Sequence, residues 1–460
     1  MSRFKRLVAA LIYMQDAELA GSPNRPDMDR FVVQAVCATM YSILTTGVFL
    51  SGYLIYLEAP EWLVSYASMM PTIALIAIPL SAGWVEKKER RLRLTVAFDI
   101  LQRLAFVLIL AVPFLLERKL AVPVCCFLLT LSYSLNGIYG TVLNNIFLQV
   151  IPLKIRGRYL SARYIMLTIV NAVFPIIAGQ VVDRFEGGYT GFLVIYSVAA
   201  AAGAVECYVN TRLTNPVFKT IKSKLKIRDI FAIPAKDKAF MAYVIPNILF
   251  YLFLYIGASF SYVFMLRYLN LSYTYINTLA MVSAVLQILV FYRFWGKVND
   301  RVSPNFTMLL SMCLYVPEML LWGFMTNKSV YFILPICYCI SSVNASGFAI
   351  GNFNRRYELT PDEGWVLYDS FANALIALMF LISPFIANLL RKVALDGGIA
   401  GSWENGHIRF VYIVGATLLM LLQIYCYLAL KRKSPDDPAL KKESYKLAAA
   451  MLWKSVFGMK

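Results

Sequence analysis

Long apolar segments, separated by short polar ones, run along almost the whole chain. A helix needs about twenty largely apolar residues to cross a hydrocarbon layer of roughly 30 Å. Twelve segments of this kind lie at residues 30–57, 62–85, 94–116, 120–150, 159–182, 191–209, 239–266, 273–295, 306–325, 330–353, 366–390 and 408–430. The pattern therefore predicts an all-α membrane protein with twelve transmembrane helices.

The composition and the placement of charge support this interpretation. Hydrophobic residues make up 60% of the chain and charged residues 15%, whereas soluble domains carry about 25% charged residues. The net charge of +18 also suits a nucleic-acid-binding protein, so the positions of the cations must decide. Most of the 44 Lys and Arg residues precede the first segment, follow even-numbered segments or lie in the tail. The positive-inside rule then places both termini in the cytoplasm, and we expect a multi-pass protein of the cell membrane, plasma or inner, with no nucleic-acid partner.

The two halves of the chain resemble each other. A shift of 209 positions superposes Asn145 on Asn354 and Tyr159 on Tyr368. The same shift aligns Pro152 with Pro361, Ser161 with Ser370, Pro175 with Pro384, Ile177 with Ile386, and Ala178 with Ala387. Two six-helix halves in the same membrane orientation are parallel repeats, whose binding site is expected between them near the bilayer midplane.

This repeat divides the chain into five predicted regions. They are a cytoplasmic amphipathic segment at 1–29, a six-helix bundle at 30–211, a basic cytoplasmic linker at 212–238, a second six-helix bundle at 239–432 and a cytoplasmic tail at 433–460. The tail mixes cations with apolar residues, which is typical of an amphipathic helix on the inner membrane surface.

The polar loop after the second segment contains a small residue followed by acidic and basic residues, and a shorter copy follows the eighth segment. The residues are Ala82, Glu86, Lys87, Arg90 and Arg91, then Gly296, Asp300 and Arg301, while the loop after the fourth segment contains Pro152, Arg156 and Gly157. These loops and the twelve-helix repeat resemble the major facilitator superfamily of transporters, although Ala82 and Glu86 replace that family's usual Gly and Asp.

The resemblance implies a cytoplasmic gate and a central cavity. Charge-assisted bonds between the halves would hold the outward-open state, with Glu86, Lys87, Arg90, Asp300, Arg301 and Arg156 as candidates. The alternative is that these charges only set the topology. The family's helices one, four, seven and ten line the cavity, where the candidates for substrate binding are Gln34, Tyr41, Asn136, Asn145, Asn247, Tyr251, Tyr255, Asn344 and Asn354. Their alternative role is hydrogen bonding between helices.

A few ionisable residues fall inside the apolar segments, where they are costly and therefore candidates for function. Asp99 and Arg103 lie one helical turn apart, so they are expected to pair. Glu318 lies near the middle of helix nine, and we predict it as the coupling acid with Arg103 as its counter-ion and Asp99 as a further candidate. All three lie on helices that the resemblance makes peripheral, so a structural role is the alternative. Glu206 and Asp369 lie near cytoplasmic helix ends, where we expect structural roles with access to water.

Other kinds of chemistry are not indicated by the sequence. It contains no nucleotide-binding loop of the P-loop kind and no His-based zinc motif, and the eight cysteines are expected to be buried thiols. Tyr133 occupies the position where the family's drug antiporters have Arg, which weakens that assignment. We therefore expect no enzyme, cofactor or metal. The prediction is a monomeric secondary transporter in contact with membrane lipids, for a small polar or amphipathic solute, with proton, other-ion or no coupling left open. The alternative is a receptor or lipid flippase on the same scaffold.

Overall fold

The computed structural model describes residues 23–73, 76, 90–151, 153–216, 227–361, 365–398 and 403–457. Within these ranges the regular structure is helical and contains no strand, so the predicted all-α class is confirmed. By internal contacts the chain forms two compact units, Met1–Ile227 with Ser272–Asn277, and Arg228–Leu271 with Thr278–Lys460.

Seven helices build the described part of the first unit. They are α1 (Arg25–Thr45), α2 (Gly47–Tyr56), α3 (Glu61–Ile73), α4 (Leu92–Leu115), α5 (Arg118–Val150), α6 (Leu153–Arg184) and α7 (Tyr189–Thr211).

The second unit continues the helical series. Its helices are α8 (Ile227–Lys236), α9 (Lys238–Ala258), α10 (Tyr273–Leu286), α11 (Tyr292–Arg301), α12 (Pro304–Phe324), α13 (Val330–Glu358), α14 (Trp365–Asp396), α15 (Gly406–Lys433) and α16 (Lys442–Phe457). The first residues of α10 belong to the first unit by contact. Helix α8 lies within the segment predicted as a linker.

Ten helical stretches among the described residues are long and apolar enough to cross a membrane. The predicted second span begins as α3 and continues into residues outside the described ranges, and the predicted third span is the 24-residue helix α4. Residues 1–22 of the amphipathic segment predicted at 1–29 lie outside the described residues, as do Glu86 and Lys87, and the end of that segment is the start of α1.

The first predicted span is broken between α1 and α2. Thr46 is extended, and Gly47 has a φ of 56°, a conformation that glycine adopts without a steric penalty. A break inside a membrane leaves backbone groups that need partners from the protein. Tyr133 supplies one, because its hydroxyl donates to the Thr45 carbonyl at 2.6 Å. This contact gives a structural reason for a tyrosine where the family's antiporters have arginine.

A pair of tyrosines shows the sequence repeat as equivalent contacts within each unit. Tyr159 donates to the Met28 carbonyl at 2.7 Å, and Tyr368 donates to Asp237 Oδ2 at 3.2 Å. Asp237 follows Met28 by the same 209 positions that separate the tyrosines. The two units therefore share a contact as well as a sequence pattern.

The tail is helical, as its amphipathic pattern predicts. Ala448 and Met451 of α16 are buried in one cluster with Trp295 and Phe306. The exposed face carries Trp453. One face of α16 is thus part of the core of the second unit.

Candidate functional site

A buried network of three charges lies inside the first unit. Arg103 Nε donates to Asp99 Oδ1 at 2.9 Å, as their spacing of one helical turn predicts. Arg103 Nη2 pairs with Glu206 Oε2 on α7. Both carboxylates are 0% exposed. This corrects the expectation for Glu206, because the side chain is fully buried among the neighbouring helices and does not extend into bulk water at the helix end.

Neutral donors complete the network and connect it to two further helices. Glu206 Oε1 accepts from the Tyr139 hydroxyl at 2.6 Å and from Gln34 Nε2 at 2.9 Å. Asn210 Nδ2 donates to Asp99 Oδ2 at 2.7 Å and to the Tyr139 oxygen at 2.9 Å. Side chains from α1, α4, α5 and α7 therefore meet at one polar centre.

The position of Arg103 depends on two neighbours. The Tyr41 ring covers the guanidinium, with its centroid 4.2 Å from Arg103 Cζ, which is a cation–π contact. On the other side, a Cβ added at Gly203 would lie 2.7 Å from Arg103 Nη1 and 2.8 Å from Cδ. Gly203 therefore leaves the space that the guanidinium occupies.

Two cavities of the first unit lie beside this network. One of about 300 Å³ is lined by Tyr41, Arg103, Asn136, Tyr139 and Glu206, among others. A larger one of about 630 Å³ shares Asn136 and Tyr139 with it and adds Gln34. Volumes of 300–1,000 Å³ are typical of small-molecule sites. The charged network therefore borders a space that can hold a solute.

The second unit has a different polar centre. Tyr243 donates to Asn352 Oδ1 at 2.5 Å, and Asn247 Nδ2 donates to the Tyr243 oxygen at 2.9 Å and also to Asn352 Oδ1. Arg356 Nε donates to the Tyr243 oxygen at 3.2 Å, and its Nη1 pairs with Asp369 at 2.6 Å. An ion pair therefore anchors this centre, and Asp369 is held by it.

Glu318 lies apart from that ion pair within the second unit. It is 6% exposed and accepts a hydrogen bond from Asn344 Nδ2 at 2.8 Å. The predicted counter-ion, Arg103, is occupied by Asp99 and Glu206 within the first unit.

Aromatic rings make up a cluster on α9, α13 and α14. The Tyr255 and Phe380 centroids are 4.0 Å apart, and Tyr251 lies 5.6 Å from Phe348 and 5.8 Å from Phe380. The predicted candidates Tyr251 and Tyr255 therefore pack on other rings.

The remaining candidates occupy varied positions. Asn136 is exposed and Asn354 is half-buried, while Arg90, Asp300 and Arg301 are exposed near helix ends. The side chains of Asn145 and Arg156 lie outside the described residues. The gate and substrate assignments for these residues stay predictions.

Sequence reasoning missed several network residues of the two polar centres, among them Tyr139, Glu206, Asn210, Tyr243 and Arg356. A signal for Glu206 was present, because it interrupts an otherwise apolar segment at residues 191–209. Arg356 carried a weaker signal, since a cation at a cytoplasmic helix end is usually a topology determinant. Neither Glu206 nor Arg356 can be assigned to its network without knowing which helices are neighbours.

Comparison with known proteins gives similarity in structure but not in sequence. No family model and no curated protein sequence matches the chain. The solved structures that resemble it include three transporters of different solutes. The nucleoside transporter NupG, solved as a mutant, has a TM-score of 0.67 and 11% identity, covering 87% of this chain and 99% of that one. A bacterial homologue of the iron transporter ferroportin, in its inward-facing state, has a TM-score of 0.65 and 14% identity, covering 88% and 98%. The peptide transporter POT, in complex with alafosfalin, has a TM-score of 0.63 and 12% identity, covering 95% and 99%.

These three proteins transport different solutes and share one architecture with this chain. At such low identity the likeness concerns the fold. The fold predicted from the sequence, that of the major facilitator superfamily transporters, is confirmed.

Proposed function

We propose that this protein is a secondary transporter that carries a small polar or amphipathic solute across the cell membrane by alternating access. The solved structures with this fold are named as transporters of nucleosides, iron and peptides. Their variety supports a transport role and leaves the solute open. We further propose that the chain works as a monomer with both termini in the cytoplasm, in keeping with the placement of its cations.

The observation that carries the proposal is the polar cavity of the first unit. Polar and ionised side chains inside a membrane are costly and usually serve a pathway or a binding site. Here Asn136 is exposed in both cavities, and Tyr139 and Glu206 lie beside it. Such a lining can bond the polar groups of a solute, while Phe31 and Phe147 offer apolar surface.

Transport suits this lining better than catalysis. The ionised groups of the site bond to one another and to amides or phenols. A covalent mechanism needs a nucleophile beside a general base, whereas solute recognition needs only donors and acceptors around a cavity.

The first test is a ligand screen on purified protein, followed by uptake in proteoliposomes. A ligand that binds the folded state raises its melting temperature. Asn136→Leu should abolish both the thermal shift and uptake of the ligand found. Thr130→Val is the matched control, because Thr130 lies on the same helix and bonds to its own backbone at Cys126.

Two outcomes would contradict the proposal in different ways. If Asn136→Leu transports like the native protein, the cavity of the first unit is not the binding site. If a ligand binds tightly but never crosses the membrane, the protein is a receptor rather than a transporter.

A further inference from the structure

We propose that Glu206 is the proton-binding group of this protein, and that Gln34 changes from hydrogen-bond donor to acceptor when the proton binds. The inference rests on the proposed transport function, since it assigns the ion that drives the solute. It replaces Glu318 as the coupling acid.

The charge balance of the network points to a missing cation. An ionised carboxylate only accepts hydrogen bonds, and every hydrogen bond described above for Asp99 and Glu206 is accepted. Two negative charges therefore face the single positive charge of Arg103. A net negative charge inside a membrane is unfavourable, so one bound proton would neutralise the network.

Asp99 is the acid that lies away from the cavities. Its Oδ1 accepts from Arg103 Nε and from Gln102 Nε2 at 3.0 Å, and its Oδ2 accepts from Asn210. Asp99 lines neither of the two cavities described above. Glu206 is the acid that lines the cavity of about 300 Å³, so a proton reaches it from that space.

Gln34 provides an acceptor for the proton. Its Nε2 donates to Glu206 Oε1, whereas its Oε1 has no hydrogen-bond partner among the described residues although Gln34 is only 3% exposed. An unpaired buried acceptor is unfavourable. A half-turn of the amide places Oε1 against Glu206, where it accepts the O–H of the protonated acid. The network thus has one arrangement for each protonation state.

The ligand is a proton rather than a metal ion. Sodium, magnesium and calcium ions are bound by several oxygen atoms, as hard cations require. The neighbours of the Glu206 carboxylate are the N–H groups of Gln34 and Arg103 and the O–H of Tyr139. Donor hydrogens repel a metal ion, whereas a proton needs one acceptor.

The groups around Glu206 leave the proton few alternative sites. The titratable or charged groups that face it are Cys37 and Tyr41 from α1, Asp99 and Arg103 from α4, Tyr139 from α5 and Cys207 from α7. Thiols and phenols are neutral near pH 7. Arg103 and Asp99 therefore supply the charge to which Glu206 responds.

Glu318 is the matched control for Glu206. It is a second buried glutamate, and its hydrogen-bond donor Asn344 is neutral. Without a cation beside it, we expect Glu318 to remain uncharged throughout the transport cycle.

The first experiment measures proton binding without transport. Purified protein in nanodiscs is titrated while the infrared carbonyl band of protonated carboxyl groups is recorded. Glu206→Gln should remove one titrating band that Glu318→Gln retains. A band that survives in Glu206→Gln, or is lost in Glu318→Gln, would overturn the proposal.

A second variant covers the case in which Glu206→Gln does not fold. Gln34→Met removes both the donor and the acceptor while keeping a similar shape. The midpoint of the same band should then move by about one pH unit, as expected for the loss of a hydrogen bond to one protonation state. An unchanged midpoint would show that Gln34 does not respond to the protonation of Glu206.

The transport experiment follows the solute found by the ligand screen. One proton per uncharged solute allows about tenfold accumulation for each pH unit of gradient. The native protein and Glu318→Gln should reach accumulation of this order, whereas Glu206→Gln should lose gradient-driven accumulation. The assignment would be refuted if the pH gradient did not change solute accumulation by the native protein, or if the Glu206→Gln variant accumulated the solute normally. If no solute is transported at all, the function proposal fails, and the infrared titration still decides whether Glu206 binds a proton.

Discussion

The two units share a helical repeat but differ in where they place charge. The first unit buries Asp99, Arg103 and Glu206 in one network beside a cavity. The polar centre of the second unit is anchored by the ion pair of Arg356 with Asp369, and the Asp369 side chain is 33% exposed. Its centre is otherwise built from amides and aromatic rings. The two units therefore share a scaffold, while the fully buried charges distinguish the unit to which we assign proton binding.

The largest loss of stability should come from removing the arginine of one of the two polar centres, Arg103 in the first unit or Arg356 in the second. Arg103→Met leaves two fully buried carboxylates without their cation, which we expect to destabilise the protein by about 3–5 kcal/mol. Arg356→Met should be milder, since Asp369 can regain contact with water. Melting temperatures and denaturant midpoints of the two variants in detergent give the measurement. Equal losses of stability in the two variants would contradict a difference between the two units in how deeply they bury charge.

A smaller effect is expected from filling the space beside Arg103. Gly203→Ala would place a Cβ 2.7 Å from Nη1 and 2.8 Å from Cδ, and overpacking of this kind destabilises by about 1–3 kcal/mol. The control is Gly140→Ala on α5, where an added Cβ meets nothing within 4 Å. Thermal melting should separate the two variants clearly. A Gly203→Ala protein as stable as the control would mean that the guanidinium is free to move.

The smallest loss of stability concerns one tyrosine hydroxyl in each unit that bonds beside the end of a helix, α1 in the first unit and α9 in the second. Tyr133→Phe leaves the Thr45 carbonyl without its hydroxyl donor, at a cost of about 1 kcal/mol. In the second unit Tyr412 bonds to the Ser261 hydroxyl at 2.9 Å, after the end of α9. Tyr412→Phe should cost less, about 0.5 kcal/mol, since a serine hydroxyl can turn to another acceptor. If Tyr412→Phe proves the more damaging variant, the break in the first unit does not depend on Tyr133.

The sequence predicted the helical class and the repeat because both depend on patterns along the chain. Apolar runs of about twenty residues specify membrane helices whatever their neighbours are, and the pairing of Asp99 with Arg103 follows from spacing within one helix. Glu206 could not be placed in the same way. Its partners Arg103, Tyr139 and Gln34 come from three other helices, 67 to 172 residues away. A network of that kind exists only after the helices have packed.

The candidate substrate residues illustrate a second limit. Gln34 and Asn136 were predicted to face the cavity because they lie on helices one and four, which line it in the family that the sequence resembles. Both residues do line a cavity of the first unit. The same reasoning selected Tyr251 and Tyr255, which pack on Phe348 and Phe380. Whether a polar or aromatic residue faces a cavity or a neighbouring ring depends on the rotation of its helix, and the apolar pattern of a membrane helix does not define that rotation.

The tyrosine contacts described for each unit occupy matched positions of the repeat. Tyr159 reaches the Met28 carbonyl across 131 residues, and Tyr368 reaches the Asp237 carboxylate across the same 131 residues. The acceptor is a backbone group in one unit and a side chain in the other, so the repeat preserves the place of the tyrosine and not the chemistry of its bond. The triad of Asp99, Arg103 and Glu206 has no such counterpart among the described ion pairs of the second unit. Matched positions in the two halves therefore carry different polar chemistry.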